Sequence, residues 1–108
     1  MPEFPDIEDG SVGVLPERKV KLEKPKLFKV LLHNDDFTTM EFVVFILVQV
    51  FLRSEIEALS IMLKVHNEGI GIAGVYPYEI AQMKAEKAMN MSRAHEYPLL
   101  CTVEEEEN

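Results

Sequence analysis

The chain has 108 residues, which is enough for one domain with a small hydrophobic core. Its 11 basic and 19 acidic residues give a net charge of −8. This charge argues against nucleic acid and anionic membranes as partners, because their phosphates would be repelled. It favours a cationic ligand or a partner with a basic face. The single cysteine, Cys101, cannot form an intramolecular disulfide and is typical of a reducing compartment, so we expect a cytoplasmic protein.

The first half of the chain predicts an extension, a strand and a helix. Residues 1–24 show no sustained periodicity and contain three prolines, which predicts a flexible extension. Partial alternation from Lys26 to His33 predicts a strand. Thr38 and Glu41 match a capping box, so a helix is predicted to begin at Thr39. The predicted core residues of this strand and helix are Phe28, Val30, Leu32, Met40, Val43, Val44, Leu47 and Phe51.

The second half predicts two helices and two strands. Ser54 and Glu57 match another capping box, and Gly69 suits the left-handed position that ends the helix they begin. The apolar stripe of this helix is predicted to contain Ile56, Leu59, Leu63 and His66, with Met62 and Val65 beside it. A strand from Ile70 to Tyr76, a helix from Tyr78 to about His95 with a stripe of alanines, and a strand from Leu99 to Val103 follow.

The order β-α-α-β-α-β predicts a small α+β domain with one sheet and helices on one side. We place this domain at residues 25–103, between the extension and an acidic C-terminal end at residues 104–108.

Sequence motifs for catalysis are missing. The chain has no glycine-rich phosphate loop, no paired Cys/His zinc spacing and no G-x-S-x-G nucleophile elbow. We therefore predict a protein that is not an enzyme and has no catalytic residue, metal or cofactor. A metal site formed by Asp35, Asp36 and the histidines His33 and His66 fits the residue types, but no spacing specifies it.

The polar stretch from His33 to Met40 has two interpretations. Asn34, Asp35 and Asp36 lie between the first strand and the first helix, where they offer acceptors and negative charge to an ammonium or a metal. Short polar side chains also make turns by bonding their own backbone. Composition alone favours the turn, because such clusters are common in turns.

Four segments in this order resemble the ClpS family, the bacterial N-end-rule adaptors of the ClpAP-type AAA+ protease. They are residues 29–43 (KVLLHNDDFTTMEFV), 62–66 (MLKVH), 74–76 (GVY) and 95–102 (HEYPLLCT). The resemblance covers residues 25–103. It implies a three-stranded antiparallel sheet packed by three helices. It also implies an adaptor that captures substrates whose first residue is Phe, Tyr, Trp or Leu and delivers them to the unfoldase.

The same resemblance implies roles for individual residues. The α-amino group of the substrate would be surrounded by Asn34, Asp35, Asp36 and His66. The first side chain would enter a pocket lined by Leu32, Thr38, Met40, Val43, Met62, Val65 and Leu99, with Met40 as a gate against β-branched residues. Glu79 and Lys84 match positions that dock on the N-domain of a ClpA-type unfoldase. Residues 1–24 match an extension that takes part in delivery.

Three features depart from the family pattern, and the first is Ala73, which stands where a cysteine is common before Gly74 and Val75. Thr39 stands where the family often has proline. Phe45 and Val48 are more apolar than is usual there, which leaves open a contact between copies of the chain or an altered partner surface. The competing hypothesis is an interaction domain that uses this outer face of the first helix, with the Asp pair serving as a turn. The exact substrate preference, the unfoldase and the separate roles of Asp35 and Asp36 stay open.

Overall fold

The computed structural model describes residues 24–107, and the elements follow the predicted order β-α-α-β-α-β. The strands are β1 (Leu27–His33), β2 (Ile70–Pro77) and β3 (Leu100–Glu105), and the helices are α1 (Met40–Gln49), α2 (Glu55–Glu68) and α3 (Tyr78–Ala94). The predicted N-terminal extension lies outside the described residues except for Lys24.

The three strands form one antiparallel sheet with β1 in the centre, between β2 and β3. Val30 and Leu32 of β1 are fully buried, because the helices pack over this strand and its neighbours. Helix α3 contacts all three strands, α2 contacts β2, and α1 contacts α2. The predicted fold class, an α+β domain with a three-stranded antiparallel sheet packed by three helices, is confirmed.

Helix α1 begins one residue later than predicted, and its cap differs. Thr39 is the N-cap, since its Oγ1 accepts from the backbone N–H of Phe42 at 3.1 Å. The prediction of Thr38 as the cap was wrong because the hydroxyl of Thr38 donates instead to Asp35, at 2.8 Å. Glu41 therefore occupies the second helical position and does not complete a capping box. The shift leaves the loop between β1 and α1 one residue longer.

Helix α2 has the predicted ends but buries a different face. The capping box of Ser54 and Glu57 is present, and Gly69 ends the helix with φ of 91°. The predicted core stripe was wrong, because Ile56 is 81% exposed whereas Met62 is 7% exposed. The buried residues of this helix are Ala58, Met62 and Val65. Both sets recur at helical spacing, and small Ala58 lies where α2 packs against the rest of the core.

Close packing at the end of α2 depends on a glycine in β2. A Cβ on Gly71 would lie 2.7 Å from Cγ2 of Val65, so a larger residue would push α2 away from the sheet. The backbone N–H of Asn34, which follows β1, donates to the carbonyl of Gly69 at 3.0 Å. These two contacts bring the start of the β1–α1 loop beside the last turn of α2.

Helix α3 and strand β3 complete the core. The predicted alanine stripe is confirmed, since Ala81, Ala85 and Ala88 are all buried. Strand β3 runs from Leu100 to Glu105 rather than from Leu99 to Val103, because the ladder with β1 continues until Glu105 lies opposite Phe28.

Candidate functional site

A pocket of about 360 Å³ lies where the β1–α1 loop meets the last turns of α2. We call it the loop pocket; it is lined by Asn34, Asp35, Asp36, Phe37, Thr38, Thr39, Met40, Val43, Met62, Val65 and His66. Its lining contains two aspartates and no lysine or arginine. A cation is therefore favoured over an anion at this position.

Asp35 holds the loop in shape. Its Oδ1 accepts from the backbone N–H groups of Phe37 and Thr38 at 2.8 and 2.7 Å, and its Oδ2 accepts from the hydroxyl of Thr38. Burial raises the pKa of this carboxyl, but the hydrogen bonds from Thr38 and Phe37, together with the nearby Arg93 guanidinium, outweigh it and lower the pKa. Asp35 is thus ionised at neutral pH, and both of its oxygens already accept hydrogen bonds.

Three other acceptors around the pocket are uncommitted. Within residues 24–107, no protein group hydrogen bonds to the side chain of Asn34, Asp36 or His66, and all three residues are exposed. They supply an amide carbonyl, a carboxylate and an imidazole nitrogen, and the neutral imidazole can accept a hydrogen bond. An ammonium group has three donors, so this set matches it in number and in charge.

Apolar side chains form the rest of the loop pocket. Val43, Met62 and Val65 are buried, whereas Met40, the first residue of α1, is 42% exposed. The two methionines, Met40 and Met62, are flexible and polarisable, so they adapt to side chains of different shape. The pocket therefore combines acceptors for a cation with an apolar surface beside them.

The structure brings most, though not all, of the sequence-predicted residues together. Nine of them line the loop pocket: Asn34, Asp35, Asp36, Thr38, Met40, Val43, Met62, Val65 and His66. Leu32 and Leu99 do not line it; both lie in the hydrophobic core, fully or almost fully buried. Phe37 and Thr39 line the pocket but were missed, although their position between Asp36 and Met40 in the chain was a signal that they share its wall.

The two predicted partner-docking residues lie on α3, away from the loop pocket lining. Glu79 is exposed. Lys84 is half-buried; its Nζ donates to the carbonyl of Val50 at 2.8 Å and lies 5.3 Å from the ring centre of Tyr76. Lys84 therefore stabilises the turn after α1, whatever else it binds.

A larger cavity of about 800 Å³ lies on another side of α2. We call it the sheet groove; its lining comes mainly from α2 and β2 and includes Lys29, Leu31, Arg53, Ile56, Lys64 and Ile72. Three basic side chains (Lys29, Arg53 and Lys64) and three acidic ones (Glu57, Glu68 and Glu104) line this groove, so its charges balance, whereas the loop pocket has an excess of negative charge. The groove is the larger of the two cavities, but the loop pocket has the charge that favours a cationic ligand.

Cys101, the single cysteine, is not a nucleophile. It is buried in the core, and burial raises the pKa of its thiol to about 12 against the opposing effect of Arg93. The thiol therefore stays protonated at neutral pH.

Residues 24–107 contain neither a cluster of metal-ligating side chains nor a helix that could span a membrane. In this part of the chain no group of three or more His, Cys, Asp or Glu side chains is arranged to hold a metal ion. No helix there is long and apolar enough to cross a membrane.

Comparison with known proteins identifies the family to which the chain belongs. The family model "ATP-dependent Clp protease adaptor protein ClpS" matches residues 23–102. The chain belongs to the ClpS family. It is therefore an adaptor of the Clp protease. The family name describes a protein that serves the protease as an adaptor and not as the catalyst.

Individual ClpS proteins match over most of their length. The ClpS adaptor of Desulfatibacillum aliphaticivorans is 52% identical over 102 residues, which cover 94% of this chain and 98% of that protein. The ClpS adaptor of Hyphomonas neptunium is 50% identical, with coverage of 93% and 86%. The solved structure of Agrobacterium tumefaciens ClpS2 bound to L-phenylalaninamide matches with a TM-score of 0.74 and 38% identity, and covers 77% of this chain and 100% of that one.

Proposed function

We propose that this protein captures polypeptides whose first residue is Phe, Tyr, Trp or Leu and delivers them to a ClpA-type AAA+ unfoldase for degradation. The observation that carries the proposal is the set of uncommitted acceptors at Asn34, Asp36 and His66 beside the apolar side of the loop pocket. A free N-terminus is mostly an ammonium at neutral pH. L-phenylalaninamide, bound by the Agrobacterium relative, carries both a free amino group and an apolar side chain.

Asp35 and Asp36 have different tasks in this proposal. Asp35 already accepts three hydrogen bonds within the loop, so it fixes the loop and adds negative charge at a short distance. Asp36 makes no such bonds and is exposed, so it supplies the carboxylate that pairs with the ammonium. Asn34 and His66 complete the contacts with the remaining N–H donors.

Binding at the loop pocket has two energetic contributions. Hydrogen bonds to a charged group contribute about 1.5–3 kcal/mol each. Burying the first side chain against Met40, Val43 and Met62 contributes roughly 1.5–3 kcal/mol. Association offsets part of this gain, so we expect affinities in the micromolar range. Acetylation removes the charge and most donors of the amino group, which makes the pocket selective for free N-termini.

Met40 sets the selectivity for the first side chain. It lies at the first position of α1, with its side chain partly exposed at the pocket. The methionine bends around a ring or a leucine, but a side chain branched at Cβ places a methyl group against it at the entrance. We therefore expect Val and Ile to be excluded.

Delivery uses surfaces other than the loop pocket. Glu79 and Lys84 on α3 contact the N-domain of the unfoldase, and residues 1–24 take part in the transfer of the substrate. Neither Glu79 nor Lys84 lines the loop pocket, so substrate and unfoldase can be bound at the same time.

Fluorescence anisotropy with labelled peptides that begin with Phe, Leu, Val or Met tests the proposal. We expect tight binding for Phe and Leu, at least tenfold weaker binding for Val, and loss of binding when the Phe peptide is acetylated at its N-terminus. Equal binding of all four peptides, or unchanged binding after acetylation, would show that the loop pocket does not capture N-termini.

A further inference from the structure

The sheet groove lies on the face of the sheet that is turned away from the core. Val30 and Leu32 of β1 are fully buried beneath the helices, so Leu31 between them points to the opposite face. Leu31 and its ladder partner Ile72 line the groove, and α2 forms the wall beside them. The groove is therefore formed by the outer face of the sheet and one side of α2.

Isoleucines make this groove apolar. Ile56 of α2 is 81% exposed, and Ile70 and Ile72 of β2 are 38% and 43% exposed. An antiparallel sheet with one face in solvent normally carries polar residues on that face. A cavity of about 800 Å³ in which exposed isoleucines lie beside charged side chains is typical of a surface that another polypeptide segment covers.

The charges of the groove favour an uncharged occupant. The guanidinium of Arg53 lies 3.9 Å from the carboxylate of Glu57, and Lys29 lies opposite Glu104 in the ladder of β1 and β3. Because these basic side chains are close to acidic ones, a strongly acidic or basic segment gains little in the groove. An uncharged apolar segment gains by covering the isoleucines.

The N-terminal part of the chain contains a segment of this kind. Residues 10–16 (GSVGVLP) are the longest stretch of residues 1–23 without a charged side chain. We call them the uncharged segment; its apolar side chains are those of Val12, Val14 and Leu15. In an extended chain Val12 and Val14 point to the same side, so both can contact one apolar surface.

The length of the chain brings the uncharged segment within reach of the groove. Residues 17–26 join it to β1, and ten extended residues span up to about 33–36 Å. The groove begins beside Lys29 and ends at Ile70, which pairs with His33. At about 3.3 Å per residue, His33 lies about 20 Å along the strand from Leu27. The joining residues are therefore long enough for the chain to turn back over the outer face of the sheet.

We propose that residues 10–16 dock in the sheet groove of their own chain. The covalent connection gives the segment an effective concentration in the millimolar range, so a weak apolar contact is enough, whereas a second copy or a separate partner lacks this advantage. The groove shares no lining residue with the loop pocket, so the proposed capture of N-termini is left free. A partner that binds the N-terminal extension has to displace it from the groove.

Paramagnetic NMR on the full chain tests this proposal, with a nitroxide attached to the Ser11→Cys variant. Cys101 is buried and its thiol stays protonated, so it does not take up the label. We expect loss of the amide signals of Ser60 and Ile72 in the groove. The signal of Glu86 should be retained, because α3 packs on the other face of the sheet and Glu86 lies outside the groove.

A pair of matched variants tests the assignment of the segment. Val14→Asp places a charge in the uncharged segment and should restore the signals of Ser60 and Ile72. Val20→Asp makes the same change outside the segment and should leave the loss of signal as it was. Signal loss that is spread evenly over the domain, that survives Val14→Asp, or that both variants remove equally would overturn the proposal.

A mixture of two samples identifies the source of the occupant. A 15N-labelled chain without nitroxide is mixed with an unlabelled chain that carries it, and we expect no loss of signal. Loss at Ser60 and Ile72 in the mixture would mean that a second copy covers the groove. Retention of all signals in the nitroxide-labelled 15N chain itself would leave the groove to a separate partner. Either result would overturn the proposal, and neither affects the binding of Phe-first peptides that tests the proposed function.

Discussion

The loop pocket and the sheet groove are both lined partly by α2, but their polar groups differ. The groove is the larger cavity, but its three basic side chains (Lys29, Arg53 and Lys64) are balanced by three acidic ones (Glu57, Glu68 and Glu104). The loop pocket has two aspartates and no lysine or arginine. We therefore expect the excess of negative charge at the loop pocket, and not cavity volume, to determine where an ammonium binds.

The largest expected effect comes from removing the uncommitted carboxylate. Asp36→Ala should weaken binding of a Phe-first peptide by roughly 10- to 100-fold, because a hydrogen bond to a charged group contributes about 1.5–3 kcal/mol. The thermal midpoint should stay the same, since Asp36 makes no hydrogen bond within the described chain.

Glu68→Ala provides the matched control for this variant. Glu68 is an exposed acid that lines the sheet groove, so its removal changes the net charge equally without touching the loop pocket. Equal loss of affinity in both variants, measured by anisotropy, would contradict the distinction between the two cavities.

Asp35 should behave differently from Asp36, because it holds the loop. Asp35→Ala leaves the N–H groups of Phe37 and Thr38 without their acceptor, and we expect a loss of about 1–3 kcal/mol in the free energy of unfolding. Urea denaturation measures this loss. An unchanged unfolding midpoint would mean that the hydrogen bonds accepted by Asp35 do not stabilise the loop.

The pH dependence of Asp35 has a definite sign. The pKa of its carboxyl is lowered in the folded protein, so the ionised form stabilises the fold at any pH above the ordinary aspartate value. This contribution is lost as the pH falls below about 4 and through the lowered pKa. The difference in unfolding free energy between the native protein and Asp35→Asn should be constant from pH 5 to 8 and should shrink below pH 4. A difference that grows on acidification would contradict this assignment.

The elements of the fold could be predicted from local signals, whereas the packing faces could not. Ser54, Glu57 and Gly69 mark the ends of α2 by side-chain and backbone chemistry that a sequence displays directly. Which face of α2 is buried depends on tertiary packing, and the alternative stripe through Ile56 has equally good spacing.

The candidate site was also predictable in part. The resemblance to ClpS identified nine residues that line the loop pocket, but the separate tasks of Asp35 and Asp36 depend on hydrogen-bond geometry. The hydrogen bonds also determine that Thr39, and not the predicted Thr38, caps α1, because the hydroxyl of Thr38 binds Asp35. Asp35 and Asp36 have identical side chains, as do Thr38 and Thr39, but their different hydrogen bonds in this short loop give them different roles.

The smallest effect is expected on the face of α2 that contains Ile56, which was predicted from the sequence to be buried. Ile56 is 81% exposed beside the sheet groove, so Ile56→Ser should change the unfolding free energy by no more than about 0.5 kcal/mol. Met62→Ser, on the buried face in the loop pocket, is the comparison and should cost several times more. If urea denaturation showed comparable losses of unfolding free energy for the two variants, the buried stripe predicted from the sequence would be correct.

The central claim is that the loop pocket, and not the sheet groove, binds the free amino group. Titration of the 15N-labelled protein with L-phenylalaninamide, followed by two-dimensional amide NMR, tests it most directly. We predict that the shifted amide signals cluster at residues 34–43 and 62–66, and that N-acetyl-L-phenylalaninamide shifts none of them. Shifts that cluster in the groove, at Leu31, Ser60 and Ile72, or that persist with the acetylated compound, would contradict the account.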